Sequence, residues 1–302
     1  MRCLIDGDVL RYRVGFACEK KFIDVFVRGE EASGPLATFD SKTEYNKWIK
    51  DIHGGDSSDF VIEERIVPDP VENCLHSVKL QMESIIRGCG ATSYTVYLSG
   101  GGNYRETLVN YYKANRKDSP KPIHYGAITN YLISRWDAVV IEGQEADDAL
   151  GIAQTAGFKG MDYTTVICTI DKDLDNVPGY HYNFVKDEKY FVDEVQARVN
   201  FYSQLIKGDT ADNIPGLFKI AGVRAMPAMF EPLAYMDNDK DMFEHVLDVY
   251  VEAFFPEDGV TFTEYRSVVE AVWHKLRETG KLLWIRWYED EDWEPPVSLE
   301  DA

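Results

Sequence analysis

Apolar residues in this chain fall into short runs separated by stretches with helical spacing. Arg2 to Ile5, Tyr94 to Leu98, Ala138 to Ile141 and Thr164 to Cys168 read as four buried core strands, short and rich in apolar residues. Leu75, Val78, Met82, Ile85 and Ile86 recur at three- and four-residue steps and predict a helix over Asn73 to Arg87. Ile128, Tyr131, Leu132 and Trp136 predict another, and Ala146 to Ala156 a third. Strand alternating with helix predicts an α/β fold, a mostly parallel central sheet flanked by helices.

Residues 19–70 interrupt that alternation and read as an insertion. Phe22 to Val27 is β-branched and aromatic, and Thr38-Phe39 follows a Gly-Pro turn, which together predict a hairpin. Asp40-Ser41-Lys42-Thr43-Glu44 is an N-capped start for a helix reaching Lys50. From about 195 onward the pattern is mainly helical. The predicted division is an α/β core over 1–195 and a helical region over 196–302. Residues 289–302 carry seven acids and no base, and Pro295-Pro296 ends regular structure, so this tail is expected to be disordered.

The ends of the predicted strands carry the chemistry. Asp6 closes the first, Glu145, Asp147 and Asp148 follow the third, and Asp171 and Asp173 follow the fourth. Asp209 and Asp212 follow the apolar pair Leu205-Ile206. One acid in a first helical turn is ordinary capping, but in a parallel sheet the carboxyl ends of strands converge on one edge. Carboxylates 4 Å apart repel by roughly 4 kcal/mol at an effective dielectric of 20. A hard divalent cation relieves that repulsion, and two groups of acids suggest two cations. Magnesium suits all-oxygen ligands, and manganese follows the same ligand logic. Such pairs stabilise the attacking and leaving oxygens in phosphodiester hydrolysis.

Charge then has to be read by segment. The net charge is −20, which argues against nucleic acid as a partner until the acidic tail and the clustered carboxylates are set aside. From Tyr104 to Lys121 the five bases Arg105, Lys113, Arg116, Lys117 and Lys121 stand against the two acids Glu106 and Asp118, with Tyr104, Tyr111 and Tyr112 interleaved. That composition suits phosphates and unpaired bases. Lys207 to Gly216 reads as a helix end and a Pro-Gly turn, whose amides can grip a phosphate. Five scattered cysteines without metal spacing predict reduced thiols and a cytoplasmic location. No apolar stretch approaches the roughly 18 residues that span a bilayer, and the first residues are too weakly apolar for a signal peptide.

Taken in order, Leu-Ile-Asp-Gly-Asp at 4–8, Tyr-Lys-Ala-Asn-Arg at 112–116, Glu-Ala-Asp-Asp at 145–148, Thr-Ile-Asp-Lys-Asp at 169–173 and Gly-Asp-x-x-Asp-Asn-Ile-Pro-Gly at 208–216 resemble the flap endonuclease / 5′→3′ exonuclease family, especially stand-alone phage 5′ exonucleases. The resemblance runs from residue 1 to about 225, apart from the insertion. It implies a PIN-like core, a helical arch over about 101–125 and a helix-three-turn-helix over about 205–230 that holds duplex DNA. It implies a first magnesium on Asp6, Glu145, Asp147 and Asp148, and a second on Asp171, Asp173, Asp209 and Asp212. Lys113 and Arg116 match bases that contact the scissile phosphate. Tyr112 would stack on a terminal base, and Arg105, Lys117 and Lys219 would contact DNA. The implied activity is metal-dependent cleavage of DNA and RNA–DNA hybrids at 5′ ends or flaps, by a monomer working with replication proteins and removing RNA primers.

Two positions depart from the family pattern. Gly100, in Ser99-Gly100-Gly101-Gly102, stands where an aspartate is usual, and Asp8 is the residue placed to compensate. The Gly-x-Gly of the potassium-binding turn reads Lys219-Ile220-Ala221-Gly222, which gives that turn to Lys219 and a phosphate instead. Two rival readings compete. Asp6-Gly7-Asp8-Val9 after a strand suits a haloacid dehalogenase-type phosphatase, which leaves Glu145 to Asp148 and the Lys113 segment unexplained. Gly100 suits a DNA-binding member of the same fold with impaired catalysis.

Overall fold

The computed structural model describes residues 1–159, 162–255 and 261–301. In chain order its elements are β1 (Arg2–Asp6), α1 (Gly7–Ala17), β2 (Glu19–Val27), β3 (Ala37–Phe39), α2 (Lys42–His53), β4 (Phe60–Pro68), α3 (Val71–Cys89), β5 (Ser93–Ser99), α4 (Arg105–Leu108), α5 (Tyr125–Trp136), β6 (Val139–Ile141) and α6 (Ala146–Ala156). There follow β7 (Phe158–Lys159), β8 (Asp162–Tyr163), β9 (Thr165–Cys168), β10 (Gly179–Asn183), β11 (Glu188–Val192), α7 (Glu194–Lys207), α8 (Leu217–Ala221), α9 (Pro227–Phe230), α10 (Asp239–Phe254) and α11 (Phe262–Leu283).

The chain forms two compact units. The first holds residues 1–9, 83–120 and 133–302, and the second residues 10–82 and 121–132. The helical region beyond 195 therefore belongs to the same unit as the main sheet, unlike the division expected from sequence. Its buried side chains explain why: Leu4 and Ile167 of the sheet and Leu150 of α6 share one apolar core with Phe201, Phe243, Val246 and Leu276 of α7, α10 and α11.

In the first unit six strands run in the order β11-β10-β9-β1-β5-β6. All neighbours are parallel except β10 and β11. The chain winds outward from β1 through β5 to β6, then returns to the other side of β1 with β9. The order reverses between β1 and β9, where open sheets of this kind leave a crevice. Gly7 lies at this edge. A Cβ there would meet the Leu98 side chain and the Tyr97 carbonyl at 2.6 Å, so only glycine lets the chain turn from β1 into α1. The expected mostly parallel α/β sheet is present; β10 and β11 are additions that the sequence reading did not include.

The second unit contains the insertion. Its sheet, β3-β2-β4, is antiparallel, with β2 in the centre. Ser41 caps α2 by accepting a hydrogen bond from the Glu44 amide, as its sequence predicts. Tyr45 and Ile49 of α2 bury against Ile23 and Val25 of β2. The hairpin and helix are as expected; β4 is an added strand.

Three expectations fail. The segment over 101–125 is no helical arch: it contains the four-residue α4, one turn of 3-10 helix at Ala114–Arg116, and Lys113 with φ 52°. A left-handed residue in mid-segment interrupts any helix there. The acidic tail is ordered through residue 301. Trp293 and Val297 are buried, the Trp273 indole donates to the Val297 carbonyl, and Arg277 and Lys281 pair with Glu294 and Asp292. Bases on α11 neutralise the acids, and two apolar anchors offset the ordering cost. Finally, the sulfurs of Cys3 and Cys89 lie side by side, with Cys168 close by, so the cysteines are not all scattered; Cys18 and Cys74 are buried elsewhere. Cys3 and Cys89 lie on β1 and at the end of α3, a proximity that spacing along the chain does not reveal.

Candidate metal centre and phosphate site

Asp6 is the last residue of β1 and is only 2% exposed. Its carboxylate accepts hydrogen bonds from the Val9 amide at 3.1 Å and the Thr169 hydroxyl at 2.7 Å. Burial pushes its pKa up to about 7. The Val9 bond opposes the rise, the Asp8 charge adds to it, and Thr169 and Asp171 act more weakly in opposite senses. The Thr169 contact ties the residue after β9 to the end of β1.

Glu145 is the N-cap of α6, and its side chain forms a capping box with Asp148. Glu145 also accepts from the Tyr112 hydroxyl at 2.9 Å and is paired with the Lys113 ammonium. Asp147 is held well above the ordinary carboxylate range by burial, then by the charges of Asp6, Glu145 and Asp171; the cation opposing this is Lys113. These four acids therefore share one electrostatic neighbourhood.

On the β9 side, Asp171 accepts the Asp173 amide at 3.0 Å. Asp173 is pushed up to about 7 by burial and by Asp171, Asp209 and Asp212, against the opposing bond from Gln204 at 2.6 Å. Asp212 is raised by burial, with Lys113 and Arg116 pulling the other way. Asp209 and Asp212 sit in the turn after α7, closed by paired backbone bonds between Asp209 and Ile214. Gly208 (φ 71°) and Gly216 make the turn possible, because a Cβ on either would run into the other's backbone or that of Lys207. Glu145, Asp147, Asp173, Asp209 and Asp212 line a cavity of about 30 Å³, room for one water-sized occupant.

The basic segment folds onto these acids. Lys113 bridges Glu145 and Asp212, the latter at 3.4 Å, and Arg116 pairs with Asp212 at 2.6 Å. Asn115 donates to the Thr210 and Ala211 carbonyls, and the Lys113 amide donates to the Asp212 carbonyl at 2.9 Å. Burial works against charge on Lys113, but Glu145 and Asp212 outweigh it and raise its pKa. Opposite charge replaces the expected arch with this clasp.

Other residues are placed differently from expectation. Asp148 is fully buried and turned to Arg105, which grips it through two bonds of 2.6 and 2.8 Å. Arg105 also donates to the carbonyls of Leu282 and Trp284, and at 2% exposure it cannot serve as a DNA contact in this structure. Its burial opposes charge, yet Asp148 outweighs that and holds its pKa high. Tyr112 is 4% exposed with its hydroxyl on Glu145, so its ring offers no stacking face. Asp8 accepts the Ser99 amide at 3.1 Å. Lys219 donates to Asn213 at 3.2 Å, and Lys117 is exposed.

At the departure from the family pattern, a side chain on Gly100 would collide with the Glu142 carboxylate and the Ile141 carbonyl. Glu142 accepts the Gly101 amide at 2.8 Å, so its carboxylate fills the space beside Gly100. Sequence reasoning missed Glu142, Thr169, Gln204 and Ser99, which support the acids by hydrogen bonds or occupy their edge. Only Thr169, two residues before Asp171, carried a hint.

No family model and no curated protein matches this chain. Two solved structures are similar, each at 13% identity and TM-score 0.41, each covering 91% of this chain and 98% of the other. One is the D15 protein of phage T5 co-crystallized with metal ions; the other is a variant of the phage T5 D15 flap endonuclease in a pseudo-enzyme–product complex with DNA and metal ions.

Proposed function

We propose that this chain is a divalent-cation-dependent 5′ nuclease, cutting phosphodiesters in DNA and RNA–DNA hybrids at 5′ ends or flaps. The observation that carries the reading is the convergence of Asp6, Glu145, Asp147, Asp171, Asp173, Asp209 and Asp212 at the carboxyl edge of the sheet, with Asp6, Asp147, Asp173 and Asp212 all displaced upward in pKa. All donors are oxygen, and the nearby cations are too few to neutralise them. Oxygen donors suit hard cations such as magnesium, with manganese able to substitute, and because no three of these carboxylates come within 4.8 Å of one another among the described residues, a cation would have to draw them together. Asp6, Glu145 and Asp147 would hold one ion and Asp171, Asp173, Asp209 and Asp212 the other. Such ions supply Lewis acidity toward a phosphodiester.

The chain's own residues supply the rest. Lys113 and Arg116 present two cations at the rim of the acids, where they would pair with the scissile phosphate. Gln204 and Thr169 fix Asp173 and Asp6. The turn from Gly208 to Gly216 and Lys219 would bind backbone phosphates without reading sequence. Asp148 and Arg105 stand outside the proposed ligand and DNA sets, because they satisfy each other. Removal of RNA primers during phage replication is the setting this activity suits.

The test uses a 5′-labelled flap duplex carrying an RNA segment, with magnesium or manganese. Cleavage is expected, and Asp171→Ala and Asp147→Ala should each abolish it while flap binding persists. Unchanged cleavage in both variants would sink the proposal. Hydrolysis of a small phosphate ester, with the duplex left intact, would favour the phosphatase reading instead.

A further inference from the structure

β4 is the edge of the insertion sheet. All nine of its residues pair with β2 on one side, and no other strand among the described residues pairs with the opposite side. A long open edge of this kind exposes alternate amides and carbonyls and invites another strand. Natural edges are blunted by brevity, cover or charge. β4 is long, and Ile62, Ile66 and Val67 on it are 39–40% exposed. Its charges lie in the middle, at Glu63, Glu64 and Arg65.

Those charges are arranged self-complementarily. Phe60-Val61-Ile62-Glu63-Glu64-Arg65-Ile66-Val67-Pro68 reads as an inverted repeat about Glu64. We infer that β4 pairs antiparallel with β4 of a second copy of this chain across a two-fold axis at Glu64, joining two three-stranded sheets into one. Ile62 then faces Ile66 of the second copy, Val61 faces Val67, and Glu63 faces Arg65, each pair occurring twice. Such an isologous contact is closed and stops at two copies.

Geometry selects this register. Cross-strand partners share a sheet face, so the axis can shift only by whole residues, one position at a time. Moving it to Glu63 or Arg65 places that residue against its own copy and sets Glu64 against an isoleucine. With the axis at Glu64, the cost is one Glu64–Glu64 contact, set against two opposite-charge pairs and four aliphatic pairs. Arg65 is already held in place: it binds Asp24 through bonds of 2.5 and 3.1 Å and lies over the Phe22 ring at 4.9 Å. Ile62 and Ile66 lie opposite Val25 and Lys21 of β2, on the face where Ile23 and Val25 bury against α2. Pairing would extend that apolar layer across the axis.

Sedimentation of the full chain over a concentration series, with circular dichroism as the folding control, tests the pairing. The 34.5 kDa chain should pass to twice that mass as concentration rises. Glu64→Gln should lower the concentration needed, because it removes the like-charge contact. The double substitution Ile62→Lys with Ile66→Lys should hold the protein monomeric. Glu64→Cys, oxidised, should give a covalent dimer, because residue 64 meets its own copy about 4.5–5.5 Å away between Cβ atoms. Glu63→Cys should give far less. A chain that stays monomeric at every concentration, or equal cross-linking at 63 and 64, overturns the inference. None of these outcomes depends on the nuclease reading, since no acid of the metal centre is touched.

Discussion

Two groups of buried charge lie side by side at the start of α6, and they differ in how the charge is met. Asp148 has a guanidinium of its own: Arg105 grips both oxygens, and the Arg286 amide adds a bond at 3.2 Å. Asp147, one residue earlier, faces Asp6, Glu145 and Asp171, and Lys113 works against them. Consecutive residues on a helix point about 100° apart, so one turn presents one acid to each environment. The satisfied pair fastens the segment after α11 to α6. The unsatisfied group stores repulsion that a cation can relieve. Burial of charge thus has two meanings here, and the partner tells them apart.

The largest effect should come from breaking the satisfied pair. Asp148→Ala leaves Arg105 buried and uncompensated, which costs about 3–5 kcal/mol. Urea unfolding should show that loss with or without magnesium; a loss below about 1 kcal/mol would mean the pair is not the fastening described.

The open group should respond to pH instead. Asp6 and Asp173 have folded-state pKa values of about 7, above the ordinary 3.8. In the absence of divalent cations the folded protein keeps protons that the unfolded chain releases. Their contribution is complete below about pH 4 and is lost as pH rises through about 7. Each pH unit between the folded and unfolded values is worth about 1.4 kcal/mol per group before screening and relaxation. Unfolding in a chelator across that range should show stability falling by a few kcal/mol, and a flat profile would erase the contrast with Asp148.

Magnesium at pH 8 should return part of that stability, about 2.7 kcal/mol at one hundred times its dissociation constant. Asp147→Asn should abolish the response, read as a shift in Tm, while leaving the Arg105 pair intact. The smallest effect belongs to the support of Asp6. Thr169→Val removes one hydrogen bond worth about 1 kcal/mol that holds the folded Asp6 pKa down, and should move the near-neutral end of the pH profile upward. An unmoved profile would show that Thr169 does not hold the Asp6 charge.

Much of this was legible along the chain because it is local. Ser41 announces α2, the apolar spacing announces α3 and α5, and the strand ends carry Asp6, Glu145, Asp171 and Asp173 in positions that a parallel sheet must bring to one edge. What failed depends on partners far away in sequence. Arg105 looked like a free base, yet its partners are Asp148, Leu282 and Trp284. Tyr112 looked like a stacking ring, yet its hydroxyl is taken by Glu145. The tail looked too acidic to fold, yet α11 holds its neutralising bases.

The sequence by itself determined the alternation of strands and helices, and with it the gathering of acids, since strand direction follows from connection type and carboxyl ends must then align. Only the tertiary structure decided which acid is already neutralised, that the basic segment lies as a clasp on the acids, and that Glu142 stands beside Gly100. Those outcomes turn on distances of a few ångströms between residues tens of positions apart, and charge energy depends on distance and burial that composition does not encode.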